Sequence, residues 1–314
     1  MAAPAVHPPR ILILRGGAIG DFIVTLPVLQ TLLARWPDAE IEIWGYPHIA
    51  DLAVAAGLAQ KVVSLDRAEM VRFFVPVPDF APGQEAAIQS FDLILNYLHD
   101  PEGQIRSNLH MAGAKQVLSG SPIIKRGHAV DFLLEPLMAL ALYETGLAPA
   151  LDFPPALLAS SSSRLHSLGI KGHPITIHPG SGSTKKNWPL DRYIDLVKTL
   201  RSRGREVVLV LGEADAPLRP ALDAALPDVP RLDSLPLTDL APALATCSLH
   251  IGNDSGITHL AAAVGIPVVA LFGPTDPATW SPRGRIPPTL LRPPSGDLSD
   301  LSLSQVLAAL PSLP

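Results

Sequence analysis

The 314 residues carry a net charge of −5, 47% hydrophobic residues and a mean hydropathy of +0.28. That balance suits ordinary folded cores and counts against a disordered chain or wholesale nucleic-acid binding. Cys247 is the only cysteine, which excludes a disulfide framework and a cysteine-based metal site, and at roughly 150 residues per domain the length suggests two domains.

In chain order, the apolar run Ile11–Leu14 reads as a strand, followed by a glycine-rich turn and a helix over Asp21–Trp36. A strand at Glu40–Trp44 and a helix at Ala50–Ala56 come next, then a strand at Phe91–Asn96 followed by a polar segment. The Pro/Ala/Ser-rich stretch ALDFPPALLASSSSRL reads as a linker. After it the series restarts with a strand at Ile175–His178 and a helix near Leu190–Arg203. A strand at Glu206–Leu211 and a helix from about Leu218 to Leu226 follow. Leu249–Gly252, a helix at Ser255–Val264 and the strand Val268–Phe272 close the set. Val/Ile/Leu-rich strands with little alternation are expected in parallel sheets covered on both faces, and alternating β and α elements define an α/β fold. Prolines at the junctions (Pro179, Pro189, Pro267, Pro274) suit short, rigid connections. Two doubly wound domains facing a central cleft, 1–155 and 156–314, are the expectation.

The apolar run around Ala261 to Phe272 contains Gly265 and Pro267 and falls short of the about 20 residues that a spanning helix needs. The opening MAAPAVHPPR lacks the charged-then-apolar order of a signal peptide, so a cytoplasmic location is expected.

Three stretches carry chemistry. In RGGAIGD a strand runs into Gly16-Gly17-Ala18-Ile19-Gly20, a turn that could bind a phosphate at the helix start, yet Asp21 places a carboxylate there. The dinucleotide fingerprint is incomplete, because its first glycine would stand where Arg15 does. Asp21 alone could be a first-turn acid that serves the helix dipole.

The second stretch, ITIHPGSGSTKKNWPLDRY, ends a strand at His178 and offers Ser181, Gly182, Ser183 and Lys186 before a helix. Backbone amides, hydroxyls and a lysine are the makings of an anion cradle, although a solvated loop tolerates the same residues. The third, HIGNDSGITHLAAAVGIPVVALFGPTDP, puts Asp254-Ser255-Gly256 between a strand and a helix, with His259 on the first turns. That is the edge of an open α/β sheet where ligands bind. Capping explains Asp254 and Ser255 equally well. Residues 103–130 hold Arg106, Lys115, Lys125 and Arg126 and no acid, a solvated face or a landing site for an anion.

RGGAIGDFIVTLP, HPGSGSTKKNWP and NDSGITHLAAAVGIPVVALFGPTDPATWSP together resemble the marker segments of glycosyltransferase family 9, the ADP-heptose:lipopolysaccharide heptosyltransferases, in the family's order. The resemblance covers residues 11 to about 283. It implies a GT-B fold of two Rossmann-like domains, the first binding acceptor and the second a nucleotide-sugar donor, with inverting transfer and neither metal nor cofactor. Asp21 then matches the family's base and follows Gly20, and Lys186 matches the lysine at the donor diphosphate. Ser181, Gly182 and Ser183 fall in the phosphate loop, Glu213 near the donor ribose, and Asp254, Ser255, Gly256, His259 and Thr275 in the donor-binding segments. No D-x-D occurs in the chain; the nearest arrangements are Asp38-Ala39-Glu40 and Glu213-Ala214-Asp215.

The implied donor is ADP-heptose, and the implied acceptor an anionic glycan or glycolipid that Arg106, Lys115, Lys125 and Arg126 would face. A lipid acceptor implies transient contact with the inner membrane surface. After Asn96 the chain reads YLHDPEGQIRSN, where the family shows an acidic residue and a Gly-Leu pair, so the acceptor side departs from the pattern. A transferase using a UDP- or GDP-sugar, or another glycan acceptor, and a nucleotide-sugar-binding protein without turnover are the alternatives.

Overall fold

The computed structural model describes residues 7–311, so residues 1–6 of the opening segment lie outside the described part. The chain divides into two compact units, Met1–Leu147 and Ala148–Pro314.

In the first unit the elements run β1 (Arg10–Leu14), α1 (Ile19–Ile23), α2 (Leu26–Arg35), β2 (Glu40–Gly45), α3 (Pro47–Ala55) and β3 (Lys61–Ser64). They continue with α4 (Gln84–Gln89), β4 (Leu93–Asn96), α5 (Gln104–Met111), β5 (Val117–Ser119) and α6 (Ala129–Leu134). The five strands are parallel, in the order β3-β2-β1-β4-β5. Leu12, Leu14, Trp44, Phe73, Ile94 and Leu109 are buried in one core cluster on this sheet.

The second unit opens with α7 (Pro155–Ser167), β6 (Ile175–His178), α8 (Leu190–Ser202), β7 (Val207–Leu211) and α9 (Arg219–Ala225). Then come β8 (Arg231–Asp233), α10 (Leu237–Ala245), β9 (Leu249–Asn253), α11 (Gly256–Ala263), β10 (Val268–Leu271), α12 (Pro277–Trp280), β11 (Thr289–Leu291) and α13 (Leu303–Ala308). Its six parallel strands lie in the order β11-β10-β9-β6-β7-β8. Ile175, Ile177, Trp188, Val207, Leu209, Leu249 and Ile251 share one core cluster.

Both sheets wind in two directions from their first strand. The reversal falls between β1 and β4 in the first unit and between β6 and β9 in the second. At such a switch point the loops leave the strand ends in opposite directions and open a crevice for ligands. The glycine-rich turn after β1, the Gly/Ser loop after β6 and the Asp-Ser-Gly segment after β9 all stand at these points.

Three sequence expectations change. The helix over Asp21–Trp36 is two helices broken at Val24–Thr25, because Pro27 has no N–H for the Ile23 carbonyl and restricts the residue before it. The polar segment after β4 folds into α5, whose Ile105 and Arg106 N–H groups are both accepted by the Asp100 carboxylate at 3.0 Å. The stretch read as a linker is largely α7, which packs on α10, buries Ser161 and Leu165, and pairs Arg164 with Asp239 at 3.0 Å. Just before it, Leu151 N–H donates to the Ala263 carbonyl, so residues from 148 onward belong to the second unit.

Candidate functional site

In the first unit, Gly17 takes a left-handed backbone (φ 99°). A side chain there would crowd the Asp21 carboxylate. Asp21 Oδ2 accepts the Ala18 N–H at 2.9 Å, so the protein's own anion occupies a donor that a phosphate could have used. Its other oxygen, Oδ1, faces Arg15 Nη2 at 3.7 Å, and the side chain is 31% exposed.

Arg15, at the end of β1, is buried. Its Nη2 donates to the Asp21 carbonyl (2.9 Å) and its Nε to Thr25 Oγ1 (2.9 Å), which itself donates to the same carbonyl (2.8 Å). Burial lowers the Arg15 pKa from its usual value, while the charges of Asp21 and Tyr97 oppose that shift. Gly20 lies on α1, next to the carboxylate.

In the second unit three loops converge. His178 ends β6 with both ring nitrogens engaged, Nε2 with Asp215 Oδ2 and Nδ1 with Ser255 Oγ, each at 3.2 Å. Burial tends to raise the Asp215 pKa, but the His178 hydrogen bond and charge, the Gly212 N–H (2.7 Å) and Arg219 bring it below the ordinary carboxylate value. A Cβ on Gly180 would overlap the Asp215 carboxylate, so glycine is required where the loop passes over it.

Asn253, fully buried at the end of β9, ties the same loop down. Its Oδ1 accepts from Trp188 N–H (3.0 Å) and Tyr193 O–H (2.9 Å), and its Nδ2 donates to the Pro179 carbonyl (2.8 Å). Within the loop, Ser183 N–H donates to Ser181 Oγ at 3.2 Å, and Gly182 is exposed.

Lys186 Nζ donates to Asp254 Oδ2 at 2.7 Å; the lysine side chain is 34% exposed and the aspartate 6%. Ser255 caps α11 by accepting the Thr258 N–H at 3.4 Å, and Gly256 is the helix's first residue. His259 is buried on the first turn, and Thr275 is half-buried on the loop after β10. Glu213 is exposed on the turn after β7, whereas its neighbour Asp215 enters the buried network.

Loops rich in N–H and hydroxyl donors, with a half-exposed lysine, at the switch point of a doubly wound sheet can hold a diphosphate. Among the described residues, no three His, Cys, Asp or Glu side chains come together as a metal site. No described helix is long and apolar enough to cross a membrane.

Of the four basic residues on the acceptor side, Lys115 pairs with Asp92 (2.8 Å) and Arg126 makes a two-point contact with Glu135 (2.7 and 3.1 Å). Arg106 and Lys125 are exposed, and Arg106 lines a shallow depression of about 290 Å³ together with Ser119 and Glu135. Sequence reasoning passed over Arg15, Asp215 and Asn253. All three lie inside the quoted motifs or within three residues of Gly212, and that adjacency was the one available signal.

A two-unit chain with these loops at its switch points has the form of a GT-B glycosyltransferase. The solved Escherichia coli ADP-heptose lipopolysaccharide heptosyltransferase II superposes with a TM-score of 0.79, 21% identity and 96% and 97% of the two chains covered. A family 9 glycosyltransferase from Veillonella parvula gives a TM-score of 0.79 at 20% identity, covering 96% and 95%. In sequence, lipopolysaccharide heptosyltransferase 3 of Escherichia coli K12 is 27% identical over 84% of this chain and 82% of its own length. Lipopolysaccharide heptosyltransferase 1 of Pseudomonas aeruginosa is 26% identical over 88% and 82%.

The model of glycosyltransferase family 9 (heptosyltransferase) matches residues 125–287, more than half of the chain. The protein belongs to glycosyltransferase family 9.

Proposed function

We propose that this enzyme transfers a heptose from ADP-heptose to a hydroxyl of a lipopolysaccharide-core-type acceptor, with inversion and without a metal ion. The observation that carries the reading is the convergence of the Gly/Ser loop, Lys186 and the Ser255-capped α11 at the switch point of the second unit. Related solved structures of E. coli heptosyltransferase hold ADP and ADP-2-deoxy-2-fluoro heptose, and the curated relatives act on lipopolysaccharide, which supports the choice of donor and acceptor.

In this reading the acceptor oxygen attacks the anomeric carbon while Asp21 takes its proton. The bond from that carbon to the diphosphate oxygen breaks, and ADP leaves with the electron pair. Lys186, loop amides and the Ser181, Ser183 and Ser255 hydroxyls stabilise the charge that grows on the diphosphate, the role an oxyanion hole plays in acyl transfer. Gly182 and Gly256 let backbone approach the phosphates, with Thr275 and His259 bordering the nucleotide. Glu213, exposed after β7, is assigned to the ribose.

On the acceptor side the proposal rests on Arg106 and Lys125, since Lys115 and Arg126 are already engaged by the unit's own acids. Reaction at the cytoplasmic face of the inner membrane follows from a lipid-borne acceptor.

The test is turnover of ADP-heptose with O-deacylated, heptose-deficient lipopolysaccharide in the presence of EDTA, with the anomeric configuration of the product read by NMR. Transfer with inversion supports the assignment. Transfer only from a UDP- or GDP-sugar moves the donor, and nucleotide binding without transfer favours a non-catalytic protein.

A further inference from the structure

The mechanism leaves a buried cation unused. Arg15 is 3% exposed, and a guanidinium in that position carries a desolvation cost of several kcal/mol that an apolar side chain would avoid. Its hydrogen bonds converge on one peptide group. Nη2 and the Arg15-bound Thr25 hydroxyl both donate to the Asp21 carbonyl, at 2.9 and 2.8 Å, and Nη2 stands 3.7 Å from Asp21 Oδ1. The Arg15 main-chain N–H is held by the Trp44 carbonyl on β2 at 2.9 Å, so the guanidinium hangs from a backbone anchored to the sheet.

The other ionisable group facing it is Tyr97, which follows β4. That phenol is fully buried, donates to the Leu133 carbonyl at 2.7 Å, and is kept protonated because burial raises its pKa well above the ordinary value. The carboxylate that faces the Arg15 charge is that of Asp21.

We propose that Arg15 is the positioning residue of the reaction: directly and through Thr25 it locks the Asp21 peptide, and so holds the Asp21 carboxylate where it meets the acceptor hydroxyl. The inference rests on Asp21 being the base. Two consequences follow. The lock fixes the carboxylate relative to β1, and displacement of a catalytic group by about 1 Å costs on the order of 100-fold in rate. The guanidinium also faces Asp21 Oδ1 at 3.7 Å, so the same side chain restrains the carboxylate as well as its peptide. Lysine would keep the charge and lose the fork that reaches Thr25 and the Asp21 carbonyl together.

The experiment measures kcat and KM separately, with ADP-heptose and the deacylated acceptor, for wild type, Arg15→Met, Arg15→Lys, Thr25→Val and Asp21→Asn. Arg15→Met is expected to lose about 100-fold in kcat with KM for ADP-heptose unchanged within about twofold. Arg15→Lys is expected to recover part of the kcat lost in Arg15→Met; Thr25→Val is expected to lose kcat with KM unmoved. A merely structural arginine would leave the kcat of every folded variant within about twofold of wild type.

A wild-type kcat in folded Arg15→Met overturns the proposal. Should Arg15→Met fail to fold by circular dichroism, wild-type rates in both Arg15→Lys and Thr25→Val overturn it instead. Asp21→Asn separates the two readings: full turnover there removes the base itself, whatever Arg15 does.

Discussion

Asp21 serves two ends at once. One carboxylate oxygen closes the Ala18 N–H, as a first-turn acid should, and the other faces the Arg15 guanidinium with the side chain still reachable from solvent. A residue that only capped the helix would be replaceable by asparagine at a cost of a few tenths of a kcal/mol, because Asn also accepts that bond. A base is not replaceable in this way. Asp21→Asn is expected to lower kcat by about 10²- to 10⁴-fold while the calorimetric Kd for ADP stays within about twofold, since the loops proposed to bind the donor belong to the other unit. Lys186 behaves differently. One of its three protons is held by Asp254 and the others remain for phosphate oxygens. Lys186→Ala removes that contact and leaves Asp254 as a buried negative charge beside the ligand. Its ADP Kd is expected to rise by about tenfold or more, equal to at least about 1.4 kcal/mol, together with a fall in kcat; an unchanged Kd would take the diphosphate away from this lysine.

At the scale of elements, β9 carries more than its place in the sheet. It delivers Asn253 to the Gly/Ser loop and Asp254 to Lys186, and at its second residue it buries His250 completely. Burial, and secondarily the nearby His178, push the His250 pKa down to about 3, against about 6.5 in an unfolded chain. Between those values the unfolded state binds the extra proton, so stability rises with pH across the window and is fully present above about pH 6.5. On acidification from pH 6.5 towards 3 each pH unit therefore costs at most about 1.4 kcal/mol from this group. Asp215, whose pKa is lowered, adds its own loss only further down, as pH falls through the carboxylate range. His250→Asn is expected to flatten the fall of the urea midpoint between pH 6.5 and 4.5, before the carboxylates titrate. Parallel slopes for mutant and wild type would show that the unfolded-state proton uptake at this histidine is not what destabilises the fold in acid.

For the whole molecule, the alternation of buried strands and helices was readable because β7, β10 and all of β1 after Arg10 are continuous apolar runs, and β6 and β9 are buried along their whole length. The strands β5, β8 and β11 were not, because they are three-residue, partly exposed strands at or next to sheet edges, too short for any period. α7 was hidden by its serines, which favour turns locally and become helical here through packing on α10. The site followed the same rule. Gly20–Asp21, Lys186 and Asp254–Ser255 sit in contiguous motifs, but the His178–Asp215 pair spans 37 positions and the Tyr193–Asn253 bond 60, and contacts of that range have no local signal.

The family assignment adds a nucleotide preference to this geometry, and the preference can be measured without knowing the acceptor. In the proposed reading the loops after β6 and β9 would address a diphosphate through hydrogen bonds and the Lys186 ammonium, features that ADP, UDP and GDP would all engage. Discrimination among the three must therefore come from the base pocket, where an unmatched polar edge leaves buried groups without partners at about 1–3 kcal/mol each. On this reasoning the enzyme is expected to bind ADP at least about tenfold more tightly than UDP or GDP in calorimetry, with the same Kd in EDTA and in magnesium. Equal affinities would mean that only the diphosphate is read and would remove the nucleotide argument for an ADP-linked sugar. Affinity that appears only with magnesium would show that Lys186 and the loop donors do not suffice to neutralise the diphosphate, and would make the metal part of donor binding.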